Sequence, residues 1–313
     1  MKDLRRAVHR GRRIGVLLGG FSAEKEISRT SGREVLKALR SKGYRAIPVE
    51  VNKNLPMRLR QHRIEVVFNA LHGKIGEDGC VQGLLEVMGI PYTGSGVEAS
   101  ALSMDKIIAK ELFVRNRIPT PPYQTVSRGQ SPDEIRMAPP LVVKPRAEGS
   151  TLGVSIVRQR KEIAAALARA FKFDPTCLVE EYIPGREIAV AVVDGKALGA
   201  IEIRPHRGFY DYKTKYTAGK AEHVYPAPLK PAAGRRTLRA SEMACAALGC
   251  EGALRVDLRV DPAGKPYVLE VNALPGLTPL SLLPEIARGE GISFPDLVER
   301  ILNGARLRVD VAR

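Results

Sequence analysis

The chain has 313 residues, 44% of them hydrophobic, which is enough for two or three domains with cores of their own. No apolar run approaches the roughly 18 residues that a membrane helix needs, so an integral helical membrane protein is not expected. Lysines and arginines number 50 against 34 aspartates and glutamates, a net charge of +16, yet they are scattered and only nine Tyr and seven Phe accompany them. A small anion such as a nucleotide is therefore the expected partner, rather than nucleic acid or a membrane.

The opening, MKDLRRAVHRGRR, is basic like the start of a signal peptide. The apolar stretch after it, Ile14 to Leu18, is too short for a secretory core and runs into Gly19-Gly20, which predicts a basic tail on a cytoplasmic protein. Cys80, Cys177, Cys245 and Cys250 show no CxxC spacing and no histidine cluster, and are expected to be reduced and structural.

Arg13 to Leu18 reads as a buried strand, Gly19 to Glu24 as a turn, and the stretch to about Lys42 as a helix with Ile27, Ser31, Val35 and Leu39 on one face. A strand from Tyr44 to Val51 and another from Ile64 to Ala70 complete the opening of a doubly wound sheet. It lacks GxGxxG, so a dinucleotide site has little support. Ligands of open α/β sheets gather at the carboxyl ends of strands, where Glu24 and His72 would lie. An ordinary first-turn glutamate and a satisfied loop histidine are the competing readings of those two residues.

A helix is predicted from Val97 to Asn116, carrying Lys106, and Ile118-Pro119-Thr120-Pro121-Pro122 is a plausible linker. The strand Leu141 to Pro145 ends on Lys144, and the Gly-rich loop RAEGSTLG follows, with a strand after it rather than a helix. That order excludes the common P-loop, but amides freed by Gly149 and Gly153, with Lys144 as a point charge, could hold a polyphosphate; a plain glycine hairpin tip is the competing reading. A strand from Cys177 to Ile183, two more at Ile188 to Val193 and Ala197 to Ile203, and a polar, tyrosine-bearing stretch from Arg204 to Tyr225 come next. Loops that long are often lids.

Arg255 to Gly276, RVDLRVDPAGKPYVLEVNALPG, alternates as two strands around a turn at Asp261 to Gly264. With an even number of loop residues, Asp257 faces Val268, so Arg255, Asp257, Glu270 and Asn272 share one face while Tyr267, Leu269 and Val271 pack behind. A three-residue loop would oppose Asp257 to Leu269 instead. Two carboxylates and an amide oxygen on one face suit Mg²⁺; a solvated charged hairpin is the alternative. Ser293 caps a closing helix from Phe294 to Ala305.

The motifs GGFSAEKEIS, LHGKIGEDG, PYTGSGVEASALSMDK, VVKPRAEGSTLG, YDYKTKY, and RVDLRV followed by LEVNALPGLTPLS stand in that order from Arg13 to Leu307. In them the chain resembles the D-alanine-D-alanine ligases of the ATP-grasp superfamily. The resemblance implies an N-terminal doubly wound α/β domain (13–105) after the tail (1–12), followed by a two-part ATP-grasp module (106–183 and 184–313) clamping ATP under a lid at about 204–225. It implies ATP phosphates on Lys106, Lys144 and Lys215, the adenine edge on Glu180, the ribose on Glu187, and further nucleotide contacts from Gly149, Ser150, Glu181 and Ile183. Asp257, Glu270 and Asn272 would hold two Mg²⁺ or Mn²⁺ ions. Glu24, with His72 nearby, would take the first D-alanine. Arg255 and the Gly276 amide would face the oxyanion, Ser281 and the Leu282 amide would hold the second D-alanine, and Tyr216 would reach Glu24 through Ser150. The expected reaction is ATP-dependent formation of D-alanyl-D-alanine through an acyl phosphate, by a homodimer. Another carboxylate ligase, an ATP-binding regulator and a basic protein with a nucleic-acid partner are the alternatives; the Tyr216 pattern favours an amine acceptor.

Overall fold

The computed structural model describes residues 8–206 and 221–309. Three strands, β1 (Arg13–Gly19), β2 (Arg45–Val51) and β3 (Val66–Asn69), form a parallel sheet in the order β2-β1-β3. The helix Lys25–Ser41 turns Val35, Leu36 and Leu39 onto one face of it. On the other face Leu55 and Leu59 of the helix Leu55–Gln61, with Val81 and Leu85 of the helix Cys80–Val87, pack around Leu17 and Val67. A sheet covered on both faces explains why β1 and β3 read as nearly unbroken apolar runs.

Four strands, β4 (Tyr123–Ser127), β5 (Leu141–Pro145), β6 (Ser155–Val157) and β7 (Thr176–Glu181), make an antiparallel sheet in the order β4-β7-β5-β6. Period-two alternation sorts its residues. Leu141, Val143, Cys177 and Val179 join a core with the helix Ile163–Ala170, while Val142, Lys144 and Glu180 face a cleft.

The third sheet, β10-β9-β8-β11-β12, is also antiparallel: β8 (Arg186–Val193), β9 (Lys196–Pro205), β10 (Ala221–Val224), β11 (Ala253–Val260) and β12 (Pro266–Asn272). Ile188, Val190, Val192, Leu254, Val256 and Leu258 pack with the helix Pro231–Ala247. From the opposite face, Ala189, Ala191 and Val193 share a core with the first sheet, Leu283 and Ile286 of the helix Leu282–Gly289, and Leu297 and Val298 of the helix Phe294–Asn303.

The single helix expected from Val97 to Asn116 is two, Val97–Met104 and Lys106–Arg115, broken at Asp105. The Asp105 carboxylate accepts from the amides of Ile107 and Ile108, which makes it the N-cap of the second helix. It also holds Arg146, on the Gly-rich loop, at 2.7 Å. Ala99, Ala109 and Phe113 of the pair bury themselves against the five-stranded sheet.

Candidate active site

Two clefts of about 680 and 800 Å³ lie side by side where the three sheets meet. Ser150 and Glu270 line both. The first is walled by Glu24, His72, Gly149, Arg255, Asn272, Gly276, Ser281 and Leu282, and the second by Lys106, Lys144, Glu180, Glu181, Ile183, Glu187 and Asp257. Of the described residues assigned to the site from the sequence, all but Gly153 therefore lie on one wall or the other. Gly149, expected at the nucleotide, lines the first cleft. Lys215 and Tyr216 lie outside the described residues.

The hairpin brings its acids together by a route that alternation does not show. Val260 pairs with Pro266, so five residues, Asp261 to Lys265, make the connection. That odd number would have set Asp257 against Leu269. A β-bulge beyond Leu258 shifts the register by one, and Asp257 pairs with Glu270 and Arg255 with Asn272. Asp257 thus does not face Val268, as an even loop would require. Val268 and Val271 are the residues buried behind, while Leu269 comes round to line the second cleft beside Glu270.

The charges on this face are neutralised locally. The Arg255 guanidinium grips Asp257 with two bonds of 2.7 and 2.8 Å, and the Asn272 side-chain amide donates to the same carboxylate at 3.2 Å. Lys106 lies 3.5 Å from Glu270 and donates at 2.6 Å to the Glu148 carbonyl of the Gly-rich loop. Arg259 reaches Glu187 at 3.4 Å. Asp257 on the second cleft, Asn272 on the first and Glu270 on both offer oxygen ligands, which fits Mg²⁺ or Mn²⁺ and not a thiolate-loving metal.

In the first cleft, Ser150 donates its hydroxyl to Glu24. A Cβ on Gly149 would come 2.9 Å from a Glu24 carboxylate oxygen, so that side chain would have to shift. His72 is fixed at both ends, with Nε2 3.1 Å from the Ser31 hydroxyl and the backbone carbonyl accepting from Ser22 at 2.6 Å. Ser281 stands at the N-terminus of the helix Leu282–Gly289, and its hydroxyl accepts from the Thr278 amide at 3.0 Å.

Sequence reasoning missed several wall residues. Glu77 lines the first cleft, 3.7 Å from His72 Nδ1. Burial raises its carboxyl above the usual range; the His72 hydrogen bond opposes this and Glu24 adds to it. Lys110, one helical turn after Lys106, is wholly buried, 2.9 Å from the Glu180 carboxylate that also accepts from Lys144 at 2.7 Å. Its spacing from Lys106 was the available signal.

With this geometry in view, the comparisons with known proteins decide the family. The sequence pattern described as "D-ala D-ala ligase C-terminus" matches residues 112–303, and "D-ala D-ala ligase N-terminus" matches residues 57–95. A D-alanine--D-alanine ligase of Geobacter sulfurreducens is 55% identical over 300 residues, 95% of each chain. The chain belongs to the D-alanine-D-alanine ligase family. Another ligase of that name, from Geotalea uraniireducens, is 52% identical over 95% of this chain and 97% of its own. The crystal structure of the Bacillus anthracis ligase superposes with a TM-score of 0.85 at 38% identity, over 94% of this chain and 97% of that one. The same enzyme complexed with ATP gives 0.82 at 36% identity with the same coverage. The mixed α/β architecture of the ligase is thus that of the ATP-grasp fold expected from its motifs.

Proposed function

We propose that the chain carries out its family's reaction, the ATP-dependent joining of two D-alanines for peptidoglycan precursors, at the line where the two clefts meet. One observation carries the assignment of roles: Glu270 and Ser150 each line both clefts, so a carboxylate seated in the first lies next to a phosphate chain seated in the second. ATP lies in the second cleft, its phosphates toward Lys106 and Lys144, its base toward Glu180, Glu181 and Ile183, and its ribose toward Glu187. Lys215 joins the phosphates by resemblance alone. Asp257, Glu270 and Asn272 would hold two Mg²⁺ or Mn²⁺ ions, which when bound neutralise charge on the transferring group.

The ammonium of the first D-alanine pairs with Glu24, which Ser150 steadies and beside which His72 stands. Its carboxylate oxygen bonds to the γ-phosphorus as the bond from that phosphorus to ADP breaks, giving an acyl phosphate. The second D-alanine is held by its carboxylate at Ser281 and the Leu282 amide. Its amine attacks the acyl carbon, Arg255 and the Gly276 amide face the resulting oxyanion, and phosphate leaves as the amine gives up a proton. Tyr216 belongs to the same chain of contacts by resemblance. We also take the ligase to be a cytoplasmic homodimer, as the resemblance implies. No helix among the described residues is long and apolar enough to cross a membrane.

The test is incubation with ATP, Mg²⁺ and either D- or L-alanine, scoring dipeptide by mass and chirality. D-alanyl-D-alanine with stoichiometric phosphate is expected. ATP bound without phosphate release in the presence of D-alanine would make the chain a binding protein instead.

A further inference from the structure

The cleft-facing side of β5 and β7 carries a buried group of three charges. Lys144 donates to one oxygen of Glu180 at 2.7 Å, and Lys110 approaches the other at 2.9 Å. Glu180 is 2% exposed and Lys110 not at all. Lys110 is anchored on its remaining sides, donating to the Thr120 hydroxyl at 2.6 Å and the Pro121 carbonyl at 3.1 Å, with the Tyr123 ring 5.3 Å away. Thr120 in turn donates to the Val268 carbonyl on β12, so this lysine is tied to two sheets at once. Lys144 and Glu180 line the nucleotide cleft; Lys110 does not. One carboxylate thus has two ammoniums, of which one faces the ligand and the other is enclosed.

The arrangement raises a question of charge. A lysine that is the only partner of a buried glutamate cannot turn to a phosphate without leaving a negative charge unpaired in low dielectric, which is strongly unfavourable. We infer that Lys110 is a positioning residue, the resident counter-ion of Glu180, which leaves Lys144 able to turn from that carboxylate to a nucleotide phosphate. Burial draws the Lys110 ammonium down to about 8, with Glu180 opposing the fall, so it keeps its proton at neutral pH. Burial would also raise Glu180, but Lys110 and then Lys144 outweigh it and hold the carboxyl below its ordinary value. The inference rests on the placing of ATP phosphates at Lys144.

The charge logic gives a test that a packing role would not pass. Lys110→Met leaves Glu180 and Lys144 as a matched pair, so the protein is expected to fold, with Lys144 held to the carboxylate. Calorimetric titration of the full chain with ATP and Mg²⁺ is expected to show affinity lowered by at least about tenfold, while KM for D-alanine stays within about twofold. In Lys110→Met with Glu180→Gln the carboxylate no longer holds Lys144, and the neutral amide still offers an acceptor to the base. Most of the lost ATP affinity is expected to return. Two results overturn the proposal: Lys110→Met binding ATP as the unaltered chain does, or the double variant binding no better than the single one. If the single variant does not fold, the double variant is compared with Glu180→Gln alone: equal ATP affinity in the two supports the proposal, because the counter-ion has nothing left to neutralise, and a further tenfold loss in the double variant overturns it. Failure of the unaltered chain to bind ATP would overturn the nucleotide assignment and this inference with it, whereas normal binding by all three chains would overturn this inference alone.

Discussion

The two clefts solve opposite problems with the same few residue types. The first carries three acids, Glu24, Glu77 and Glu270, with Arg255 beside them, a setting for a small molecule carrying both signs of charge. The second carries six, Glu148, Glu180, Glu181, Glu187, Asp257 and Glu270, and sets Lys106, Lys144 and Arg259 among them with hydrocarbon from Val142, Val154, Ile183 and Leu269, a setting for a flat ring joined to a polyanion. In the first, side chains are steadied by neighbouring hydroxyls, Ser150 of the Gly-rich loop on Glu24 and Ser31 of the helix Lys25–Ser41 on His72. In the second they are steadied by ion pairs to one carboxylate, from Lys144 within the sheet and from Lys110 on the helix Lys106–Arg115. On the proposed assignment, recognition of the amino acid is exposed to small shifts of these neighbours, and recognition of the nucleotide to changes of charge count.

The sharpest way to break this contrast is to alter the carboxylate the clefts share. Glu270→Gln keeps size and removes one negative charge from the meeting line; ATP-dependent phosphate release with D-alanine is expected to fall by about 10² to 10³ with the melting temperature little changed. A loss of less than tenfold would show that the shared carboxylate is not where the reaction occurs. Gly149→Ala is expected to act on one cleft alone. The new Cβ, 2.9 Å from the Glu24 carboxylate, should displace it and raise KM for D-alanine by about tenfold, the scale of a weakened charge-assisted hydrogen bond; equal losses of ATP affinity would erase the division drawn between the clefts.

The smallest expected effect concerns stability. Glu77 is raised above its ordinary value of 4.5 mainly by burial. Just above pH 4.5 the unfolded chain has lost this proton while the folded chain keeps it, so the group makes stability fall as pH rises through that window. Urea unfolding of Glu77→Gln should show a shallower decline over the same range. An unchanged slope would place the Glu77 proton elsewhere.

Much of the site is legible in the sequence because alternation assigns faces within a strand. It puts Arg255 with Asp257, and Glu270 with Asn272, and places Lys144 at a strand end, but setting the two pairs against each other across a five-residue loop needed the bulge. What could not be read came from contacts between distant segments or from irregular backbone. Asp105 lies inside a pattern that looks helical throughout, and only its bonds to Ile107, Ile108 and Arg146 show that it starts a new helix. Lys110 looks like any solvated helical lysine until β7 brings Glu180 against it from 70 residues away. The bulge that restores the register of the carboxylates leaves no mark in a two-residue repeat.

That bulge has an electrostatic consequence. It brings Leu269 round beside Glu270 on the cleft wall, so hydrocarbon and carboxylate share that edge. Attraction between opposite charges grows as the surrounding permittivity falls, so a cation at Glu270 would be held more firmly there than on a strand whose neighbours were all polar.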